Sequence, residues 1–212
     1  MMRACIVVIA RSGRLARIEG SDGIAGRHTE PDTVHLVSTA ATPLGGDSLK
    51  VRLVVEPGAR LRIRTVAAAV TLPGVRTDHS TAWWDIENAG DLDLDPQPTV
   101  VAGGSSHDTA VRIRLADTAR LRLRERVQIG RSGERDGFWS GTLSADVGAT
   151  PLLRHRVELG SGAVGDDTLA APRACISELR YPARSFEADG TVLELARGGS
   201  LATWQGDRLP AG

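Results

Sequence analysis

Five carboxylates, Asp85, Glu87, Asp91, Asp93 and Asp95, fall between residues 85 and 95 with no basic residue among them. An acidic row of this kind can hold a hard or borderline cation through oxygen. Asp91-Leu92-Asp93-Leu94-Asp95 opens like a calcium loop, but Pro96 stands where the invariant glycine belongs and Ala102 where the bidentate glutamate belongs. The simpler reading is the polar face of a strand ending at Pro96. Gly160-Ser161-Gly162-Ala163-Val164-Gly165 matches GxGxxG after a strand-like stretch. A dinucleotide site needs a helix there, with amides turned to the pyrophosphate. Asp166 and Asp167 would repel phosphate and Pro172 would stop the helix, so the segment reads as a glycine-rich turn. His28, His35, His79, His107 and His155 show neither i, i+4 nor i, i+2 metal-ligand spacing. No CxxC, GxSxG or Walker loop occurs. A hydrolytic site could be assembled only in space, from His107, Asp108 and Ser105 or Ser106.

Arginine carries the positive charge. Lys50 is the one lysine; Arg60, Arg62 and Arg64, then Arg112, Arg114, Arg120, Arg122 and Arg124, recur at every second residue. On strands, that spacing aims the guanidinium groups at one face. From Arg112 to Arg135 eight arginines face Asp117, Glu125 and Glu134. Such a face suits solvent or an acidic protein partner. Nucleic acid would call for stacking aromatics, and none lies between 85 and 137. The formal net charge of zero also speaks against nucleic-acid or anionic-membrane binding.

The elements that must position these groups read as β. The 212 residues are 41% hydrophobic and 25% charged, an ordinary globular composition, and suit one domain over 1–212. Alternation and β-branched content predict strands over 4–11, 14–19, 33–40, 48–56, 60–68, 81–87, 107–115, 120–129, 139–146, 151–159, 173–180 and 191–196. Gly, Pro and Asn punctuate them at Ser12-Gly13, Glu56-Pro57-Gly58, Asn88-Ala89-Gly90 and Gly103-Gly104. The expected fold is all-β, with mostly antiparallel strands in stacked or sandwiched sheets and at most one or two short helices. One echo stands out: Ala59-Arg60-Leu61-Arg62-Ile63-Arg64 returns as Ala119-Arg120-Leu121-Arg122-Leu123-Arg124, each after an alternating strand and a turn. Two copies are too few to indicate a solenoid. They suggest two similar β-layers with leucine inward and arginine outward.

The run from Ala4 to Ala10 is short, ends at Arg11 and reads as a strand rather than a signal peptide. No apolar run approaches a membrane span. Cys5 and Cys175 have no metal spacing and read as free thiols of a cytoplasmic protein.

Several segments in order resemble the UreD (UreH) family of urease accessory proteins: Leu44-Gly45-Gly46-Asp47-Ser48-Leu49, Pro57-Gly58-Ala59-Arg60, Leu92-Asp93-Leu94-Asp95-Pro96-Gln97, Ala119-Arg120-Leu121 leading to Glu125 and Gly130-Arg131, and Asp136-Gly137-Phe138. The resemblance is best over 44–160. Thr71 and Pro73 stand where the family often has Lys and Tyr. The resemblance implies a cytoplasmic, non-catalytic β-scaffold with no tightly bound cofactor. Such a scaffold would bind urease apoprotein and UreF and, through UreF, the GTPase UreG, and would assist nickel insertion, with nickel in transit through a passage. By motif position it implies Asp93, Glu125 and Asp136 as the carboxylates of that nickel path. The alternatives are a β-sandwich module binding a protein or carbohydrate, for which Trp83, Trp84 and Trp139 are the candidate platforms, and the hydrolase noted above.

Overall fold

The computed structural model describes residues 1–40, 43–165 and 171–210. Within them the chain is all-β, with no helix: β1 (Arg3–Ala10), β2 (Arg17–Gly20), β3 (Ile24–Glu30), β4 (Thr33–Ser38), β5 (Ser48–Val55), β6 (Arg60–Thr65), β7 (Ala69–Thr71), β8 (His79–Asn88), β9 (Asp91–Leu94), β10 (Thr99–Val101), β11 (Ser106–Leu115), β12 (Arg120–Ile129), β13 (Phe138–Val147), β14 (Thr150–Gly160), β15 (Ala174–Tyr181), β16 (Thr191–Glu194) and β17 (Ser200–Gly206). One sheet has the order β14-β13-β11-β8-β5-β1-β2. The other has β16-β17-β15-β12-β9-β6-β4-β3, with β10 and β7 continuing beside β12.

The expectation of mostly antiparallel sheets is corrected by the pairing. β1, β5, β8, β11 and β13 run parallel in the first sheet, as do β4, β6, β9 and β12 in the second. Antiparallel pairs lie toward the sheet ends, such as β1 with β2 and β13 with β14. The chain crosses from one sheet to the other at a corner, then returns one strand further along. The result is a β-solenoid-like stack rather than a sandwich of hairpins.

The sequence echo therefore marks two coils of a solenoid, and a third lies between them. β5–β6, β8–β9 and β11–β12 are equivalent strand–corner–strand units. The middle one escapes sequence matching because Asp91 and Asp93 replace arginine at the outward positions. The corners stack by backbone hydrogen bonds: Ala89 N donates to Val55 O at 2.8 Å, and Ala116 N to Asn88 O at 2.9 Å. Gly90 is required at the middle corner because a Cβ there would stand 2.3 Å from Ala59 O.

Alternation along each strand decides the core. Ile6, Leu53, Ile86 and Ile113 from one sheet meet Leu61, Ile63, Leu92 and Leu179 from the other, all fully buried. Trp84 packs partly buried against this core. A smaller cluster of Val101, Val127, Ile129, Trp139, Leu159 and Cys175 closes one end.

Candidate functional site

The outward faces of both sheets explain the charge blocks. In register, Asp91 lies between Arg60 and Arg120, and Asp93 between Arg62 and Arg122. Asp93 accepts Arg64 at 2.6 Å and Arg122 at 3.2 Å, and Asp95 accepts Arg122 at 3.1 Å and Arg126 at 2.9 Å. Glu178 on β15 takes Arg122 at 3.0 Å and Arg180 at 2.6 Å. Burial alone would lower the Arg122 guanidinium, but Glu178, then Asp95 and Asp93, raise it overall. The first sheet repeats the scheme: Arg114 holds Asp85 at 3.0 Å and Glu87 at 2.8 Å, and Arg52 holds Glu87 at 3.1 Å. The acidic row is thus one coil of a charge ladder flanked by arginine coils. It is not an open cation surface, and no group of three or more metal-ligating side chains occurs among the described residues.

Glu125 is different. Inward positions of β12 alternate through Leu121, Leu123, Glu125, Val127 and Ile129. β9 pairs β12 over Arg120–Leu123 and β10 pairs it over Val127–Ile129, so nothing in the sheet covers Arg124–Arg126 on that side. The same level breaks β6 from β7 and β9 from β10. Behind the break lies a cavity of about 430 Å³ between the sheets. Its walls include Thr65, Val66, Pro96, Gln97 and Glu125 from the second sheet, Trp84, His107 and Thr109 from the first, and Met2 and Asp47. The Glu125 residue keeps some accessible surface because it faces this space, yet protein surrounds the carboxyl, and burial pushes it up to about 7. It forms no ion pair or hydrogen bond with described residues.

Two of the cavity's other polar groups, His107 and Asp47, are anchored. His107 is 3% exposed and its Nδ1 is 2.8 Å from Ser80 Oγ. Burial, then nearby His79, depresses it to about 4, so it is neutral at physiological pH. Asp47 accepts Met2 N at 2.6 Å and Leu44 N at 3.0 Å. The Gly45-Gly46 pair before it is there for backbone reasons. A Cβ at Gly45 would stand 1.8 Å from Thr77 O, and Gly46 has φ of +95°.

The three expected path residues are not brought together. Asp93 faces outward, paired with arginines; Glu125 faces inward. Asp136 is exposed in the loop between β12 and β13, where Glu134 accepts Gly103 N at 2.9 Å and Arg131 N at 3.0 Å. Asp47 and His107 are cavity residues that sequence reasoning did not place in the path. Asp47 had a signal in its glycine pair; His107 had only its inward parity on an alternating strand. The hydrolase grouping is also rearranged. His107 turns inward to Ser80, whereas outward His79 meets Ser106 at 3.3 Å and Asp108 at 3.5 Å. The GxGxxG segment opens with Gly160, whose Cβ would stand 1.9 Å from Gly137 O. Asp166 and Asp167 lie outside the described residues. Among the described residues, no helix is long and apolar enough to cross a membrane.

Comparison with known proteins adds to this geometry. The family profile described as UreD urease accessory protein matches residues 25–186. A protein of Frankia alni named urease accessory protein UreD is 36% identical over 93% of this chain and 75% of its own length. Urease accessory protein UreD 1 of Saccharopolyspora erythraea is 37% identical over 85% of this chain and 74% of its own. The Streptomyces coelicolor protein named urease accessory protein UreD is 32% identical over 95% and 89%.

Proposed function

This chain belongs to the UreD urease accessory protein family, and on that premise we propose that it is a non-catalytic scaffold for urease maturation whose inter-sheet cavity passes nickel toward urease. The carrying observation is Glu125, an inward carboxyl with no partner among the described residues, facing a cavity of about 430 Å³. A cation crossing a protein interior needs compensating charge and ligands that let go. In this reading the one carboxylate supplies that charge, and Thr109 and Gln97 lie elsewhere on the wall of a cavity with room for water. A thiolate or multi-imidazole cluster would hold the ion instead. Near neutral pH the carboxyl lies close to its midpoint, so proton and cation exchange on it. Asp93 could contact the ion only by releasing Arg64 or Arg122, and Asp136 would act from the exposed loop. In this reading urease apoprotein and UreF bind the scaffold in the cytoplasm, with UreG joining through UreF. No cofactor stays bound to it.

Glu125→Gln tests the passage. The variant should assemble with urease apoprotein as wild type does, yet yield urease with less nickel per active site. Full nickel loading by Glu125→Gln would remove the carboxyl from the mechanism. Full nickel loading in a strain lacking this chain would remove the accessory role.

A further inference from the structure

The outer face of the first sheet carries a feature that the cavity does not use. Outward residues of its central strands form rows in register: Cys5, Lys50, Trp83, Ala110 and Thr142, beside Val7, Arg52, Asp85, Arg112 and Ser144. Trp83 is 46% exposed, whereas Trp139 is 1% exposed and Trp84 and Trp204 are partly buried. An indole left in water at the middle of a seven-stranded sheet has an unmet driving force for burial. A shallow groove of about 660 Å³ runs beside it. On one side stands Lys50, the chain's one lysine; on the other, Ala110 and Thr142 are short and leave a flat floor.

The charges around Trp83 are unbalanced in use. Asp85 is held by Arg114, Asp108 faces His79, and Glu158 is held by Arg156. Arg3, Lys50 and Arg112 have no ion pair among the described residues, and the last two are exposed. Two nearby carboxylates, Asp85 and Glu158, are therefore occupied by arginine, while the Lys50 and Arg112 cations remain available.

We propose that the outer face around Trp83, Lys50 and Arg112 is a docking surface for an acidic segment of a protein partner that sets an apolar side chain on the indole. An aromatic centre within a rim of complementary charge is the usual anatomy of an interface hot spot. Interspersed carboxylates and a single aromatic group suit a protein better than a phosphate backbone, which would meet them repulsively. The inference rests on the accessory-protein reading only for the choice of probes.

The test uses the full chain with apo-urease and, singly, each accessory protein of the maturation set. Trp83→Ala should weaken one of these complexes by about thirtyfold, and Lys50→Glu with Arg112→Glu should weaken the same complex and flatten its salt dependence. Circular dichroism and melting of the free variants check that they fold. If folded variants bind every probe as wild type does, the docking surface is refuted. If wild type dimerises and Trp83→Ala is monomeric, or if the face binds single-stranded DNA or phosphatidylserine vesicles through Trp83, the assignment to an acidic protein segment is overturned. Nickel loading of urease is read in the same preparations. Loss of binding at normal nickel content, or the reverse, separates this surface from the passage.

Discussion

Replacing Glu125 with glutamine should stabilise the fold, and more so as pH rises. Burial lifts the carboxyl from 4.5 to about 7, so the folded chain holds a proton that the unfolded chain has released. Stability then falls as pH rises from about 4.5 and levels off above about 7. The shift of about 2.5 units at about 1.36 kcal/mol each bounds the penalty at about 3 kcal/mol above pH 7. Water admitted by the cavity reduces it. Glutamine has nearly the same shape and no charge to desolvate. Urea denaturation of both proteins at pH 5 and pH 8 measures the difference, in which titrating groups not coupled to Glu125 cancel. The variant's advantage should be small at pH 5 and grow by pH 8 toward an upper bound of about 3 kcal/mol, at most about 6–12 °C in Tm for a chain of this size. An advantage that does not change with pH would refute the buried, unpaired carboxyl. So would a variant less stable than wild type at pH 8.

Three other outcomes follow from the same structure. Asp93→Asn withdraws the charge that holds Arg64 and Arg122; it should cost about 1–3 kcal/mol in urea denaturation at pH 7, and an unchanged midpoint would show the ladder to be energetically idle. Gly45→Ala drives a Cβ to 1.8 Å from a backbone carbonyl; it should cost about 3 kcal/mol or more, and a wild-type melting curve would contradict the close packing of that turn. Cys5 is exposed, whereas burial, and then Glu125, push the Cys175 thiol up. A thiol reagent should therefore titrate one cysteine quickly in the native chain and the second only on unfolding, and two fast thiols would be the contrary result.

Strong alternation makes several elements legible in the amino-acid sequence. The strands expected over 48–56, 60–68 and 120–129 are β5, β6 and β12, because their apolar positions recur at period two and Gly and Pro bound them. β7 and β10 are three residues each, too short to show a period. β3 and β17 mix glycine and polar residues, and packing overrides their weak propensity. Strand β9 alternates outward Asp91 and Asp93 with buried Leu92 and Leu94, but it is four residues long, and its place between β6 and β12 is set only by pairing in space.

The sequence alone determined which side chains turn inward, since period-two alternation fixes faces without reference to a partner. It determined the corners, where Gly90 leaves room for the neighbouring coil. The family resemblance of its motifs named Glu125 together with Asp93 and Asp136, without separating them. Tertiary structure alone decided strand direction and pairing, because a strand's partner in a solenoid lies a whole coil away, as Arg60 is from Asp91 and Asp91 from Arg120. Opposite parity on their strands is why Asp93 and Glu125 part company, and the pairing across coils decides what each then meets. One carboxylate is neutralised between arginine coils. The other is left alone where two successive coils break and the sheets enclose a cavity.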